Sequence, residues 1–336
     1  MTPSPARVLV INVTRIGDTI LTTPVLRALA KAWPQAKLTF LGHPKRVEVV
    51  EHLPFVAETG AITKQRAPWR GRLFSRRWDL AFVYGMDRPL VDYALRVAPR
   101  VVAFRQEQAA VNERLYRVVE HPAFQSLHAV HQVLLLPGAV GVEPDGLRLS
   151  YQVTASEKAW AHEYLAGLPA GRGQLVGLQI AGFHATSYRD WPLEHFAALC
   201  GRMRARWPTV HFMLFGGAAE RARTDDLARR IGSRVTSLAG SVTLRQSAAL
   251  LERLDLYIGV DTGPTHIMSA FDAPMVALYH CHSSSQAIGP LERPRCYVVD
   301  HPRPAPCAAD VPMAELAVEP VWAKVLEAAS TPAFRA

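Results

Sequence analysis

Short apolar runs alternate with helix-length amphipathic segments along this chain, and that alternation constrains the fold more than any other feature. In the first half the strand candidates are Val8–Val13, Lys37–Leu41, Leu80–Tyr84 and Val101–Phe104. Between the first two lies Asp18 to Trp33, with Leu26, Leu29, Ala30 and Trp33 at helical spacing. Pro24 in that segment marks either a kink or a helix start with Thr23 as its cap. Ala129 to Val140 reads as a further helix. The second half repeats the pattern, with strand candidates Leu175–Ile180, Val210–Phe215, Val235–Leu238, Leu256–Val260 and Met275–Tyr279. Helices are expected over Leu193–Trp207, Glu220–Ile231 and Leu244–Leu254, and a last one over about Glu319 to Ala329. This order predicts an α/β protein with parallel sheets covered by helices, once in each half. The turn-rich stretch Gly141 to Gly146, and the capping-box pattern Thr154-Ala-Ser-Glu157, put the domain boundary near residue 150.

A chain of 336 residues is long enough for two domains with a core in each. Hydrophobic residues at 49% and charged residues at 20% describe a folded, soluble protein, and the apolar runs are too short to span a membrane. Met1 to Ala6 leads directly into a strand and lacks the basic-then-apolar order of a signal peptide, so a cytoplasmic location is expected. The four cysteines, at 200, 281, 296 and 307, form no CxxC pair and are expected to be free, packing thiols. The net charge of +9 suggests an anionic partner. Much of the excess is local: Lys64, Arg66, Arg70, Arg72, Arg76 and Arg77 are interleaved with Trp69, Phe74 and Trp78. This is either a solvated face or an electrostatic patch with aromatic anchors. No zinc-finger, RNP1-like or homeodomain pattern is present, so nucleic acid is not an expected partner.

Four loops at the carboxyl ends of predicted strands concentrate polar residues, and ligands bind at such ends in doubly wound sheets. Thr14 to Asp18 follows the first strand without a dinucleotide fingerprint; Asp18 either caps the helix or serves as a general base. Ala181 to Pro192 carries Thr186 and Ser187, ligand hydroxyls or ordinary loop residues, and Arg189, either a phosphate ligand or a surface charge. Phe215 to Glu220 carries Gly216, where a ligand can approach the backbone, and Glu220, which either accepts from a ribose or favours a helix start. Leu256 to His266 is a strand, a tight loop and a helix start in one stretch. Asp261, Thr262, Gly263, Thr265 and His266 crowd the point where free helix N–H groups suit a phosphate. No Asp-x-Asp occurs, and His280-Cys-His282 lacks a matching partner spacing for a metal.

Arg15-Ile-Gly-Asp-Thr-Ile-Leu-Thr-Thr-Pro-Val-Leu-Arg-Ala-Leu29 and Tyr257-Ile-Gly-Val-Asp-Thr-Gly-Pro-Thr-His266 resemble the paired signatures of glycosyltransferase family 9, the ADP-heptose:lipopolysaccharide heptosyltransferases. Arg189-Asp-Trp-Pro192, Gly216-Gly-Ala-Ala-Glu220 and His128-Ala-Val130 look like the motifs between them, in order. The resemblance implies a GT-B fold, two Rossmann-like domains with parallel sheets facing each other across a cleft. It implies an acceptor-binding domain over 1–150, a nucleotide-sugar-binding domain over 151–318, and a helix over 319–336 that returns to the first domain. It further implies inverting transfer of heptose from an ADP-sugar, without a metal or other cofactor, to a lipid-linked anionic oligosaccharide, the lipopolysaccharide inner core.

By the same resemblance Asp18 is the catalytic base. Thr186, Ser187, Arg189, Gly216, Glu220 and Asp261 to His266 hold the donor. The acceptor falls to the first domain, where Arg15, Lys64, Arg66, Arg70 and Arg72 supply cations and suit peripheral contact with the inner face of the cytoplasmic membrane. The chain departs from the family pattern at Arg189, usually Lys, at Ala181, usually Pro, and at His131-Gln132, usually Asp-Arg. These departures bear on the donor sugar and acceptor. The alternatives are transfer of another activated sugar, a nucleotide-sugar-binding protein without activity, and a non-hydrolysing epimerase of the same fold.

Overall fold

The computed structural model describes residues 4–70, 77–169, 173–182, 188–330 and 334. The chain divides into two compact units, Met1–Gln152 and Val153–Ala336.

The first unit holds strands β1 (Arg7–Asn12), β2 (Lys37–Gly42), β3 (Glu58–Ala61), β4 (Leu80–Tyr84), β5 (Arg100–Phe104) and β6 (Arg117–Val119). Its helices are α1 (Ile16–Leu21), α2 (Thr23–Ala32), α3 (Arg88–Val97), α4 (Ala109–Asn112) and α5 (Ala129–Gly138). The second unit holds β7 (Leu175–Gln179), β8 (His211–Phe215), β9 (Val235–Ser237), β10 (Leu256–Val260), β11 (Met275–Tyr279) and β12 (Cys296–Asp300). Its helices are α6 (Ala155–Ala166), α7 (Leu193–Arg206), α8 (Arg221–Ile231), α9 (Leu244–Leu251), α10 (Gly263–Met268), α11 (Ser285–Ile288) and α12 (Val318–Ala329).

Both sheets are parallel throughout. The strand orders are β3-β2-β1-β4-β5-β6 and β12-β11-β10-β7-β8-β9. Each is therefore the doubly wound 3-2-1-4-5-6 order, with its reversal between β1 and β4 in one sheet and between β7 and β10 in the other. The central strands are buried along their whole length, because helices cover both faces of a parallel sheet. That burial is why they read as unbroken apolar runs.

Of the two readings of Asp18 to Trp33, a kink at Pro24 or a helix start there, the structure has the helix start, with α1 before it. Thr22, not Thr23, stands at the N-cap of α2, and Pro24 lies in the first turn, where its missing N–H costs nothing. Thr154 and Glu157 form the expected capping box on α6, through Thr154 N–H to Glu157 Oε2 at 2.8 Å and Glu157 N–H to Thr154 Oγ1 at 3.3 Å. Trp78, read as a possible surface anchor, is a core residue; its indole N–H donates to Thr39 Oγ1 at 3.2 Å. Trp69 is 73% exposed. The buried face of α12, with Val318, Val321 and Val325, joins the core of the second unit, so its packing counts 318–329 with that unit.

Cys281 and Cys307 form a disulfide, which corrects the expectation of four free thiols. The two are 26 residues apart. A turn at the end of β11 and the returning segment 301–312 bring them together, and no local spacing announces that. Cys200 and Cys296 remain free, and burial pushes the Cys296 thiol up to about 12.

Candidate active site

In the second unit the two loops flanking the strand-order reversal, after β7 and after β10, meet at one pair. Arg189 Nε lies 3.2 Å from Asp261 Oδ2, and Arg189 NH1 lies 3.4 Å from the Asp261 carbonyl oxygen. His266 Nε2 stands 3.1 Å from Asp261 Oδ1. The Asp261 side chain is 1% exposed and that of Arg189 is 24% exposed. Neither carboxylate oxygen of Asp261 has an aligned hydrogen bond, so the Arg189 guanidinium holds it by charge and the His266 ring stands beside it.

Local sequence fixes this arrangement. Trp191 is fully buried and donates from its indole N–H to the Leu316 carbonyl at 2.7 Å, which anchors the loop two residues after Arg189. Asp190 accepts from the Gly182 N–H at 2.9 Å and pairs with Arg223 at 3.6 Å; burial raises its pKa. Tyr188 lies under the Arg189 guanidinium at 5.0 Å, and its hydroxyl accepts from Arg189 Nε at 3.0 Å. Sequence reading missed Tyr188, Asp190 and Arg223 as positioning groups, because their partners are distant in the chain.

The remaining donor candidates fall in different settings. Thr265 is fully buried, donates to the Val260 carbonyl at 2.5 Å and lies 2.8 Å from the Tyr257 hydroxyl. Its hydroxyl is thus committed to the protein and ties the loop to β10. Gly259 leaves room for that bond: a Cβ there would lie 2.5 Å from the Tyr257 hydroxyl. Thr262, Gly263 and His266 are also buried. With six residues, α10 carries a small dipole, weaker than the sequence suggested. Glu220 folds back so that Oε2 accepts the Gly217 N–H at 2.8 Å, beside Gly216, where a Cβ would crowd Glu220 and Ala239 at 3.1 and 3.3 Å. Thr186 and Ser187 lie outside the described residues.

In the first unit Asp18 is exposed, and its Oδ2 accepts the Arg15 N–H at 3.3 Å. Its loop is held from below by Asn12, which is 2% exposed and donates to Thr22 Oγ1 at 2.6 Å and to the Asp18 carbonyl at 3.3 Å. Arg46, beyond the end of β2, donates to the Thr14 carbonyl at 2.5 Å. Arg15 is exposed. Lys64 pairs with Asp87, which follows β4, at 2.6 Å. The Arg70 guanidinium donates to the Ala61 carbonyl, and the Arg66 N–H to Thr63 Oγ1 at 3.2 Å. Arg72 lies outside the described residues.

His280, Cys281 and His301 bring potential metal-binding atoms within 4.8 Å of one another. The chemistry is already spent. His280 Nδ1 accepts the His282 N–H at 2.9 Å and His280 Nε2 donates to the Val311 carbonyl at 2.7 Å. His301 Nδ1 accepts the Arg303 N–H at 3.2 Å and its Nε2 donates to the Pro312 carbonyl at 3.1 Å. Cys281 is in the disulfide, so the set offers no lone pair to an ion. No helix among the described residues is long and apolar enough to cross a membrane.

Residues 93–315 match the family model for glycosyltransferase family 9 (heptosyltransferase). The chain belongs to glycosyltransferase family 9. It is 24% identical over 276 residues to lipopolysaccharide heptosyltransferase 3 of Escherichia coli, covering 78% of this chain and 80% of that protein. Lipopolysaccharide heptosyltransferase 1 of Pseudomonas aeruginosa is 25% identical over 81% of this chain and 78% of its own length. Among solved structures, the family 9 glycosyltransferase of Veillonella parvula superposes with a TM-score of 0.84 at 20% identity, over 96% of this chain and 97% of that one. ADP-heptose lipopolysaccharide heptosyltransferase II of E. coli gives 0.79 at 19% identity, over 96% and 98%. The two parallel six-stranded sheets of this family 9 glycosyltransferase are thus the GT-B fold expected from its motifs.

Proposed function

We propose that this glycosyltransferase moves a heptose from ADP-heptose to an anionic, lipid-linked core oligosaccharide of lipopolysaccharide, with inversion and without a metal. The observation that carries the donor half is the Arg189–Asp261–His266 cluster, built from both loops at the strand-order reversal of the second unit. A relative of the same fold, the E. coli heptosyltransferase WaaC, was solved with ADP. Buried Asp261 acts as a strut that aims Arg189, whose partly exposed guanidinium takes the diphosphate. Positive charge held there stabilises the leaving ADP as negative charge develops on it. Glu220, Gly216, Thr262 and Gly263 frame the nucleotide.

The first unit supplies the acceptor side. Asp18 is the general base that takes the proton from the attacking hydroxyl, and Asn12 and Arg46 hold its loop in register. Arg15, Lys64, Arg66 and Arg70, with exposed Trp69 beside them, attract the phosphates and carboxylates of the acceptor and the anionic inner face of the cytoplasmic membrane. The test is a panel of ADP-, GDP-, dTDP- and UDP-sugars read by thermal shift and then by transfer to purified core acceptor. ADP-heptose should give the largest shift and the only transfer. A larger shift with another nucleotide would overturn the donor assignment. Arg189→Ala should weaken ADP binding in calorimetry, and unchanged affinity would remove Arg189 from the donor site.

A further inference from the structure

We propose that the Cys281–Cys307 bond is a redox switch on donor binding, a reading that rests on Arg189 being a donor ligand. The segment 301–312 is a proline-rich strap, exposed from Pro302 to Pro306 and from Ala308 to Asp310. Among the described residues the Arg303–Glu315 ion pair and the His301 N–H to Tyr279 carbonyl bond at 2.9 Å also hold the strap, and three hydrogen bonds join it to the turn after β11. The Cys307 N–H donates to the Cys281 carbonyl at 3.2 Å, His282 Nδ1 donates to the Cys307 carbonyl at 2.8 Å, and His280 Nε2 donates to the Val311 carbonyl at 2.7 Å. Each such bond is individually modest in net worth. The covalent link is therefore the strongest single tether between that turn and a segment that is largely exposed.

The same turn supports the donor cluster. The rings of His280 and His282 pack edge-on against Tyr188, with centroids at 5.0 and 5.2 Å. Tyr188 in turn carries Arg189, and Arg189 meets Asp261 at 3.2 Å. A continuous set of contacts thus runs from the strap, through two histidines and a tyrosine, to the guanidinium that takes the diphosphate. All of it lies in the second unit. Neither the two cysteines nor the two histidines have a task in the transfer step that would explain a cross-link here.

The chemistry is ordinary thiol–disulfide exchange with a dithiol reductant. Cys281 is buried, and Cys307 is partly open to solvent. One thiolate of the reductant attacks Cys307 Sγ, and Cys281 leaves as a thiolate that is then protonated. The reductant's second thiol resolves the mixed disulfide. Two electrons and two protons pass to the protein, giving two cysteine thiols and one oxidised reductant. The strap is then held only by hydrogen bonds and the Arg303–Glu315 ion pair, the histidine pair loosens, and Arg189 loses the support that aims it.

The experiment uses the full chain, once oxidised in air and once treated with dithiothreitol, with the thiols counted by alkylation and mass spectrometry. Reduction should add two alkylated cysteines, 281 and 307, and weaken ADP binding by at least about fivefold, the low end of ordinary coupling between sites. Hydrogen exchange at the amides of 188–190 should quicken. Cys307→Ser should bind ADP as the reduced protein does and ignore the reductant. Alkylation of both cysteines before reduction, or an ADP affinity and 188–190 exchange that reduction leaves unchanged, would overturn the switch. Failure of ADP to bind either form would sink the donor assignment instead; exchange at 188–190 would then decide the switch, faster on reduction upholding it and unchanged refuting it. The oxidised and reduced wild type need no substitution, so their comparison stands even if the Ser variant misfolds.

Discussion

Arg189→Met removes a guanidinium and keeps an apolar stem, and it isolates what the cluster contributes to stability. The Asp261 carboxylate is 1% exposed, and without Arg189 it keeps the His266 ring as its neighbour among the described contacts. Stranding a fully buried charge costs about 3–5 kcal/mol. Two facts lower that figure here. Arg189 is itself 24% exposed, so the pair is partly hydrated, and His266 Nε2 stays 3.1 Å from Oδ1. A loss of about 2–3 kcal/mol follows, the lower end of that range and slightly below it. For a unit of roughly 180 residues each kcal/mol moves the melting temperature by about 2–4 °C, so the variant should melt about 4–12 °C lower. The assay is differential scanning calorimetry of the ligand-free protein. Asp261→Asn combined with Arg189→Met should recover most of the loss, because no buried charge is then left unpaired. A single-variant shift under about 2 °C, or a double variant that melts lower still, would refute the strut.

Three further outcomes are expected. Asp18→Asn should cut turnover by about a hundredfold or more while the melting temperature holds, since an Asn Oδ1 can accept the Arg15 N–H as Asp18 Oδ2 does; near-normal turnover would return Asp18 to that helix-start role. Gly259→Ala puts a methyl group 2.5 Å from the Tyr257 hydroxyl, so it should break the Tyr257–Thr265 bond and destabilise the protein by about 1–3 kcal/mol in denaturant titration; an unchanged midpoint would mean the ring has another place to go. Burial pushes the Glu157 carboxyl up, but hydrogen bonds from Arg245 and Thr154 outweigh it and bring its pKa to about 2 from the usual 4.5. The folded value lies below the unfolded one, so this stabilisation is complete above pH 4.5 and is lost as pH falls through about 2. Glu157→Gln should flatten the fall in melting temperature across that window, and an identical fall in both proteins would count against it.

The doubled, doubly wound architecture is legible in the amino-acid order, because central strands of a parallel sheet are buried on both faces and must be apolar throughout. The family is legible too, since the loops after β1 and β10 carry their signatures in consecutive residues. Strands β3, β6 and β12, three of the four edge strands, are not. An edge strand is half-covered, and Glu58-Thr-Gly-Ala61 carries no apolar signal to find. What Asp261 and Thr265 do emerges only on folding. Read along the chain they stand at a ligand-facing turn. Folded, one is a buried strut under Arg189, and the hydroxyl of the other is spent on Val260 and Tyr257. The Cys281–Cys307 bond was equally out of reach. Such pairings depend on distances in space, which chain spacing fixes only within one helix, strand or turn, and these partners come from loops that the sheet order brings together.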